Sequence, residues 1–254
     1  MSFSVRKAAD VLFRDPAVFL RVAFTRTYNA ALVRRPRTAG PTDSPSLTEI
    51  IRHAGQRRTD ISDHLVPLFV EAIETSPLLI VELGVRGGES TFVFERVSRL
   101  TGATLVSVDI QDCSNSSSYE NWIFVQTDDI AFAKRFASWC AQRQLTPAID
   151  VLFIDTSHQY EHTVHEIQHW MPFMGPRSKV ILHDTNMRHI YRRKDGSLGV
   201  TPHQHRGVIA ALERYFGASF DERVDFVDVQ KGWLIKHWAN SSGFTVLSRI
   251  DRRQ

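Results

Sequence analysis

Two short stretches of this 254-residue chain have residue types and spacing suited to chemistry: Ile154-Asp155-Thr156-Ser157-His158-Gln159-Tyr160 and His183-Asp184-Thr185-Asn186. Two carboxylates with carbonyl, amide and water oxygens suit Mg²⁺, Mn²⁺ or Ca²⁺. Asp155 and Asp184 are the candidate carboxylate ligands, and Asn186 could add an amide oxygen. His158 follows Asp155 by three residues and is the candidate general base. A neutral imidazole with an ordinary pKa near 6.5 can take a proton at neutral pH. An alcohol hydroxyl is a poor nucleophile because its pKa is far above neutral. A divalent ion lowers that pKa and orients a vicinal diol.

A third stretch reads Val81-Glu82-Leu83-Gly84-Val85-Arg86-Gly87-Gly88-Glu89-Ser90. Its glycines allow a tight turn and close approach to a ligand, and Ser90 could cap the following helix. The spacing is not the G-x-G-x-x-G of a pyrophosphate-binding turn. Glu82 would repel a phosphate, but it suits a cationic amino-acid ligand. Asp109 closes the next apolar run, where a carboxylate can accept both hydroxyls of a ribose. A ribose without a pyrophosphate, beside an anionic residue, points to S-adenosylmethionine (SAM).

These residues need strand ends to gather them. Short apolar runs at 78–83, 104–108, 122–126, 150–154 and 179–182 predict strands. Helical spacing at 90–100, 130–144 and 160–171 separates them. Helices are predicted earlier over 4–33, 47–57 (capped by Ser46) and 62–75, and later over 206–216. Closing strands, expected to be antiparallel, fall at 224–229, 233–236 and 244–249. The rhythm predicts an α/β fold, Rossmann-like and doubly wound, with a mainly parallel sheet, antiparallel C-terminal strands and an N-terminal helical arm. In such sheets ligands bind beyond the carboxyl ends of the strands. Glu82, Gly84, Asp109, Asp128, Asp155 and Asp184 should therefore share one rim.

On these motifs the chain resembles the class I methyltransferases. Their first motif, an acidic residue followed by G-x-x-x-G, corresponds to Glu82, Gly84 and Gly88. Their second corresponds to Asp109. The resemblance implies SAM as cofactor, with Asp128 or Asp129 at the adenine amino group. The I-D-x-x-H-x-Y and H-D patterns resemble the metal-dependent sugar and macrolide O-methyltransferases of the cephalosporin-hydroxylase-like group. A more distant resemblance is to the mycobacterial methyltransferases of methylmannose polysaccharides. Two departures stand out: Thr156 replaces the usual glycine, and His183 stands where relatives with a tandem acidic pair have Glu or Asp. His183 is then either a ligand or a residue packed beneath the site.

At 43% hydrophobic the chain can build one large core, read as residues 46–254 behind an arm and linker at 1–45. Residues 1–40 hold eight Arg or Lys against Asp10 and Asp15, although the whole chain carries only +3. This arm could touch an anionic partner or mediate a homodimer. No apolar run is long enough for a transmembrane helix. Cys113 and Cys140 form no disulfide or metal framework, so a cytoplasmic location is expected. A small-molecule or oligosaccharide acceptor is expected and nucleic acid is not, because no basic stripe with interleaved aromatics lies beyond the arm. His162, His165 and His169 share a helix face and read as packing or solvent residues. Residues 188–207 and 112–120 are candidate lids. Alternatives are a catechol-type acceptor, an Fe(II) oxygenase using Asp155, His158 and His183, or a scaffold.

Overall fold

The computed structural model describes residues 15–32, 42, 44–201 and 204–250. The remaining positions of the predicted arm and linker lie outside the described residues. The first helix, α1 (Pro16–Leu32), starts where the Asp15 carboxylate accepts from Val18 N–H. Next comes α2 (Pro45–Gln56), whose cap is Ser44 rather than the expected Ser46. Proline suits the first helical position because its fixed φ fits and no N–H is wasted, so Pro45 lets the helix begin earlier. The predicted helix over 62–75 is a 3₁₀ turn (Ser62–His64) followed by α3 (Leu65–Ile73).

The alternating core then unfolds as β1 (Leu79–Leu83), α4 (Glu89–Thr101), β2 (Thr104–Asp109) and β3 (Trp122–Gln126). The single helix expected over 130–144 is two short ones, α5 (Asp129–Ala133) and α6 (Phe136–Gln142). They are followed by β4 (Ile149–Ile154), α7 (Tyr160–Trp170) and β5 (Met174–His183). A hairpin of β6 (Ile190–Arg192) and β7 (Leu198–Val200) precedes α8 (Gly207–Phe216), β8 (Phe226–Gln230), β9 (Trp233–Trp238) and β10 (Phe244–Arg249). Sheet order is β3-β2-β1-β4-β5-β10-β9-β8. The first five strands run parallel and the last three pair antiparallel, as expected.

Side chains alternate across a strand, and β1 shows the result. Leu79, Val81 and Leu83 join a core with Phe132, Phe136, Trp139 and Trp170 on one side. Ile80 faces the other, with Ile50, Leu65, Leu68 and Phe94. Burial on both faces explains why the parallel strands read as continuous apolar runs. Register matters more for function. Leu83 pairs with both Val108 and Ile154, and Ile154 pairs with Leu182. Gly84, Asp109, Asp155 and His183 therefore leave the sheet side by side on one rim.

Among the described residues no helix is long and apolar enough to cross a membrane. A charged clasp joins α3 to the sheet. Glu71 lies 2.7 Å from the Lys179 ammonium on β5 and also pairs with Lys236 on β9. Glu71 and Lys179 are only 8% and 9% exposed, so removing Glu71 would leave the buried Lys179 charge with only the exposed Glu74 as partner. Glu71→Ala should cost about 3 kcal/mol by denaturant unfolding. Lys236→Met, whose partner keeps Lys179, should cost about 1 kcal/mol or less. Equal losses would refute this ordering.

Candidate active site

A cavity of about 320 Å³ opens on the rim, lined by Gly84, Asp109, Asp128, Asp129, Asp155 and His162 among others. Gly84 has φ +88°, and a Cβ there would lie 2.1 Å from the Asp155 carbonyl oxygen. Only glycine lets the β1 turn press against the end of β4. The Asp109 carboxylate accepts from the backbone N–H of Val85 (2.8 Å), Arg86 (3.0 Å) and Gln111 (2.8 Å). Burial pushes its pKa up, but these donors prevail and hold it below the usual range. A carboxylate offers roughly four acceptor sites. With three donors on it, Asp109 keeps about one acceptor site free.

Asp128 caps α5 by accepting from Ala131 N–H at 2.8 Å and still lines the cavity. Asp129 points toward His162 Nε2, 3.1 Å away. Glu82 and Ser90 differ from expectation. The cap of α4 is Gly88, with φ +74°, so Ser90 already sits in the first turn. Its hydroxyl donates to Glu82 Oε1 at 2.6 Å. Thr91 and Ser107 complete a hydroxyl cage around Glu82, which is fully buried and does not line the cavity. Glu82 supports the glycine turn from beneath. Residues 112–120 do not line the cavity either. Ser117 bonds Glu95, and buried Tyr119 bonds the Ser98 and Ala103 carbonyls.

Beside the cavity the strand ends of β4 and β5 bring Asp155, His158 and Asp184 together, with ligand atoms all within 4.8 Å. His158 Nε2 lies 3.0 Å from Asp155 Oδ1 and 3.1 Å from Asp184 Oδ2. His158 (φ +60°) and Asp184 (φ +56°) both adopt the left-handed region. Such backbone is costly outside glycine and concentrates at functional sites. His183 lies beneath, 1% exposed, with Nδ1 3.4 Å from Asp155 Oδ1 and 3.3 Å from Asp184 Oδ1. Burial alone would lower the pKa of both histidines. The carboxylates prevail, raising His158 and raising His183 strongly. Reciprocally, both aspartates are held below the usual range against the pull of burial.

The two carboxylates suit a divalent cation, and beneath them the buried Asp184 Oδ1 faces the His183 Nδ1 that it shares with Asp155. Asn186 is occupied elsewhere: its amide donates to the Ala239 carbonyl at 2.7 Å, and its oxygen accepts from Arg188. Sequence reasoning missed His64, buried on the 3₁₀ turn with Nδ1 3.2 Å from His183 Nε2. Burial and then His183 hold its pKa well below the usual value. No local pattern marks it, because its partner is 119 positions away. Gly207, at the start of α8, packs backbone to backbone on this loop; a Cβ there would lie 2.1 Å from the His158 carbonyl oxygen. The predicted lid at 188–207 contains the ordered β6–β7 hairpin. Asn29 of α1 exchanges two hydrogen bonds with the Leu198 backbone, and Asp195 pairs with Arg58.

Residues 81–185 match a family described as a methyltransferase domain. No curated protein matches the chain in sequence. Among solved structures, the chain is similar to the O-methyltransferase TomG from Streptomyces achromogenes, involved in tomaymycin synthesis and solved with SAM. Identity there is 13% over 90% of this chain and 96% of that one, with a TM-score of 0.50. It is also similar to MycE methyltransferase from the mycinamycin biosynthetic pathway, solved with Mg, SAH and mycinamycin VI. That match has 14% identity over 99% of this chain and 63% of that one, with a TM-score of 0.53. A third is SAH-bound methyltransferase PaMTH1 of Podospora anserina, at 14% identity over 94% and 97% of the two chains and a TM-score of 0.51. The fold is thus that of the Rossmann-like methyltransferases. The glycine turn, Asp109 and Asp155 all lie within the stretch that matches this domain family.

The Glu82 cage generates a pH test. Burial raises the Glu82 pKa from 4.5 to about 7, the three hydroxyls only partly opposing it. A raised folded-state pKa gives stability that is full below about 4.5 and lost as pH rises through about 7. Between about pH 5 and pH 8 the chain should lose on the order of 3 kcal/mol that a Glu82→Gln variant keeps. Thermal unfolding of both proteins measures this, and parallel curves across that range would show the carboxyl is not protonated on folding.

Proposed function

We propose that this chain transfers a methyl group from SAM to a hydroxyl of a sugar or polyol acceptor, with a divalent metal at the acceptor. The observation that carries this reading is the double membership of Asp155. It lines the nucleotide-sized cavity and belongs to the carboxylate–histidine cluster. A donor held on the Asp109 side therefore meets an acceptor held on the Asp184 side. Such placement can supply several kcal/mol of the barrier. Residues 46–254 form the methyltransferase domain, and the arm at 1–45 precedes it.

Each residue has a physical task in this reading. Asp109 holds a ribose hydroxyl, Asp128 and Asp129 meet the adenine, and Gly84 with Gly88 lets the backbone approach. SAM supplies a methyl already activated by its sulfonium. Asp155 and Asp184 would hold Mg²⁺, or Mn²⁺ or Ca²⁺, which would lower the pKa of a bound hydroxyl and orient it. His158 takes the hydroxyl proton; when a cation occupies its two carboxylates, the interactions that raise its pKa are withdrawn and the imidazole is free to act as base. His183 and His64 hold the carboxylates from below. A polar groove of about 630 Å³, lined by Arg188, His189 and Arg223, begins two residues beyond Asp184 at Asn186. Its donors suit an acceptor with many oxygens better than a flat catechol. The Fe(II) oxygenase set of two histidines and one carboxylate would take His158, His183 and Asp155 and leave Asp184, the second carboxylate of the cluster, unused.

Asp184→Asn is the direct test. Losing a contribution of several kcal/mol should cut methyl transfer roughly 100-fold or more, while calorimetric SAM affinity stays within about twofold. EDTA should act similarly, and Mg²⁺ should restore turnover on a panel of sugars and polyols. Full activity in the variant would remove the metal from the reaction, and turnover of catechols alone would replace the acceptor class.

A further inference from the structure

Among the three histidines on α7, His162 differs from the other two. Its Nε2 lies 3.1 Å from Asp129 Oδ1 and 3.6 Å from Glu166 Oε1. Asp129 comes from the start of α5, whereas Glu166 lies one turn further along α7. The Asp129 side chain is 8% exposed and the Glu166 side chain is fully buried. All three offer ligand atoms within 4.8 Å of one another. Glu166 Oε1 accepts from Thr156 at 2.6 Å. Glu166 Oε2 and Asp129 Oδ2 have no hydrogen-bond partner despite complete burial, and Thr163 Oγ1 is in the same position.

Buried polar atoms are nearly always paired, so orphaned carboxylate oxygens in one cluster call for an explanation. Charge sharpens the point. Two carboxylates face one imidazole in a place where an unbalanced charge is costly, and burial and then the Asp129 charge push Glu166 up to about 7. A divalent cation with neutral His162 would balance both carboxylates and occupy the orphaned oxygens. One imidazole with two carboxylates suits a first-row transition ion better than Mg²⁺, which prefers an all-oxygen shell.

We propose that Asp129, His162 and Glu166 form a second divalent-cation site, built for a transition ion such as Zn²⁺, in the wall of the cofactor cavity. Asp129 and His162 line that cavity and Glu166 lies behind them. An ion there ties α5 to α7 and fixes the Asp129 carboxylate at the cavity. The site is separate from the Asp155–His158–Asp184 cluster and stands whether or not the chain transfers methyl groups.

The test is Zn²⁺ stoichiometry by calorimetry on the EDTA-stripped full chain. Two ions should bind, and Glu166→Gln, which preserves shape and the Thr156 contact, should remove one or weaken it at least about tenfold. An Asp155→Asn/Asp184→Asn variant should retain the second ion. Co²⁺ bound to that variant should give a visible absorption that His162→Ala abolishes and His165→Ala leaves intact. Loss of all Zn²⁺ binding in the Asp155→Asn/Asp184→Asn variant, or binding to that variant that survives a further Glu166→Gln, would overturn the proposal. Thermal unfolding distinguishes ligand loss from a failure to fold.

Discussion

Two like charges must be held together at the ends of neighbouring parallel strands, and much of the structure follows from that. At about 4 Å, and at an effective dielectric near 20, two carboxylates repel by roughly 4 kcal/mol. Asp155 and Asp184 tolerate this because His158 stands between them and His183 beneath. Neither histidine comes free. His183 rests against His64, and His64 stacks on Phe244 of β10 at 5.1 Å between ring centroids. His64 also reaches the Asn240 amide. The antiparallel extension of the sheet is thus part of the support for a site built on its parallel half. The same carboxylates are the groups suited to a cation, so the repulsion resisted by the fold is also what such an ion would relieve.

The parts of this arrangement that were legible in the sequence obey local rules. Asp109, Asp155 and Asp184 could be placed because each ends an apolar run, and strand ends in parallel sheets share a rim. The register puts Gly84, Asp155 and His183 in one row for that reason. Glu82 sits just before the glycines, where a ligand role was reasonable, yet strand alternation turns it into the interior under Ser90 and Thr91. Pattern alone does not say which face of β1 a helix will cover. His64 and His162 were illegible for a different cause. Their chemistry comes from partners 119 and 33 positions away, reached only once helices are laid on the sheet. His162 shares its helix face with His165 and His169, so spacing could not separate it from them.

The hairpin at β6 and β7 shows a related lesson about polar, glycine-containing segments. Its composition suggests a loose cover, but its backbone is well partnered. Beyond Asn29 and Arg58, the Asp63 carboxylate accepts from Lys194 N–H at 2.8 Å, and Arg193 donates to the Thr59 carbonyl at 3.0 Å. The polar side chains read as signs of mobility are those that fasten the segment to α1 and to the approach to the 3₁₀ turn. Specificity elements set on such fixed supports can be more exact than free loops.

The backbone contact between Gly207 and His158 has a consequence for how this chain can change over evolutionary time. With no side chain between them, the start of α8 and the His158 turn behave as one solid piece despite 48 intervening residues. A crossover that joined the first 160 residues of one homologue to the remainder of another would bring together surfaces shaped separately. An incoming helix whose first residue carried a Cβ would have to displace the His158 turn. Even the stretch in between is constrained, because its hairpin is anchored to Asn29, Arg58 and Asp63.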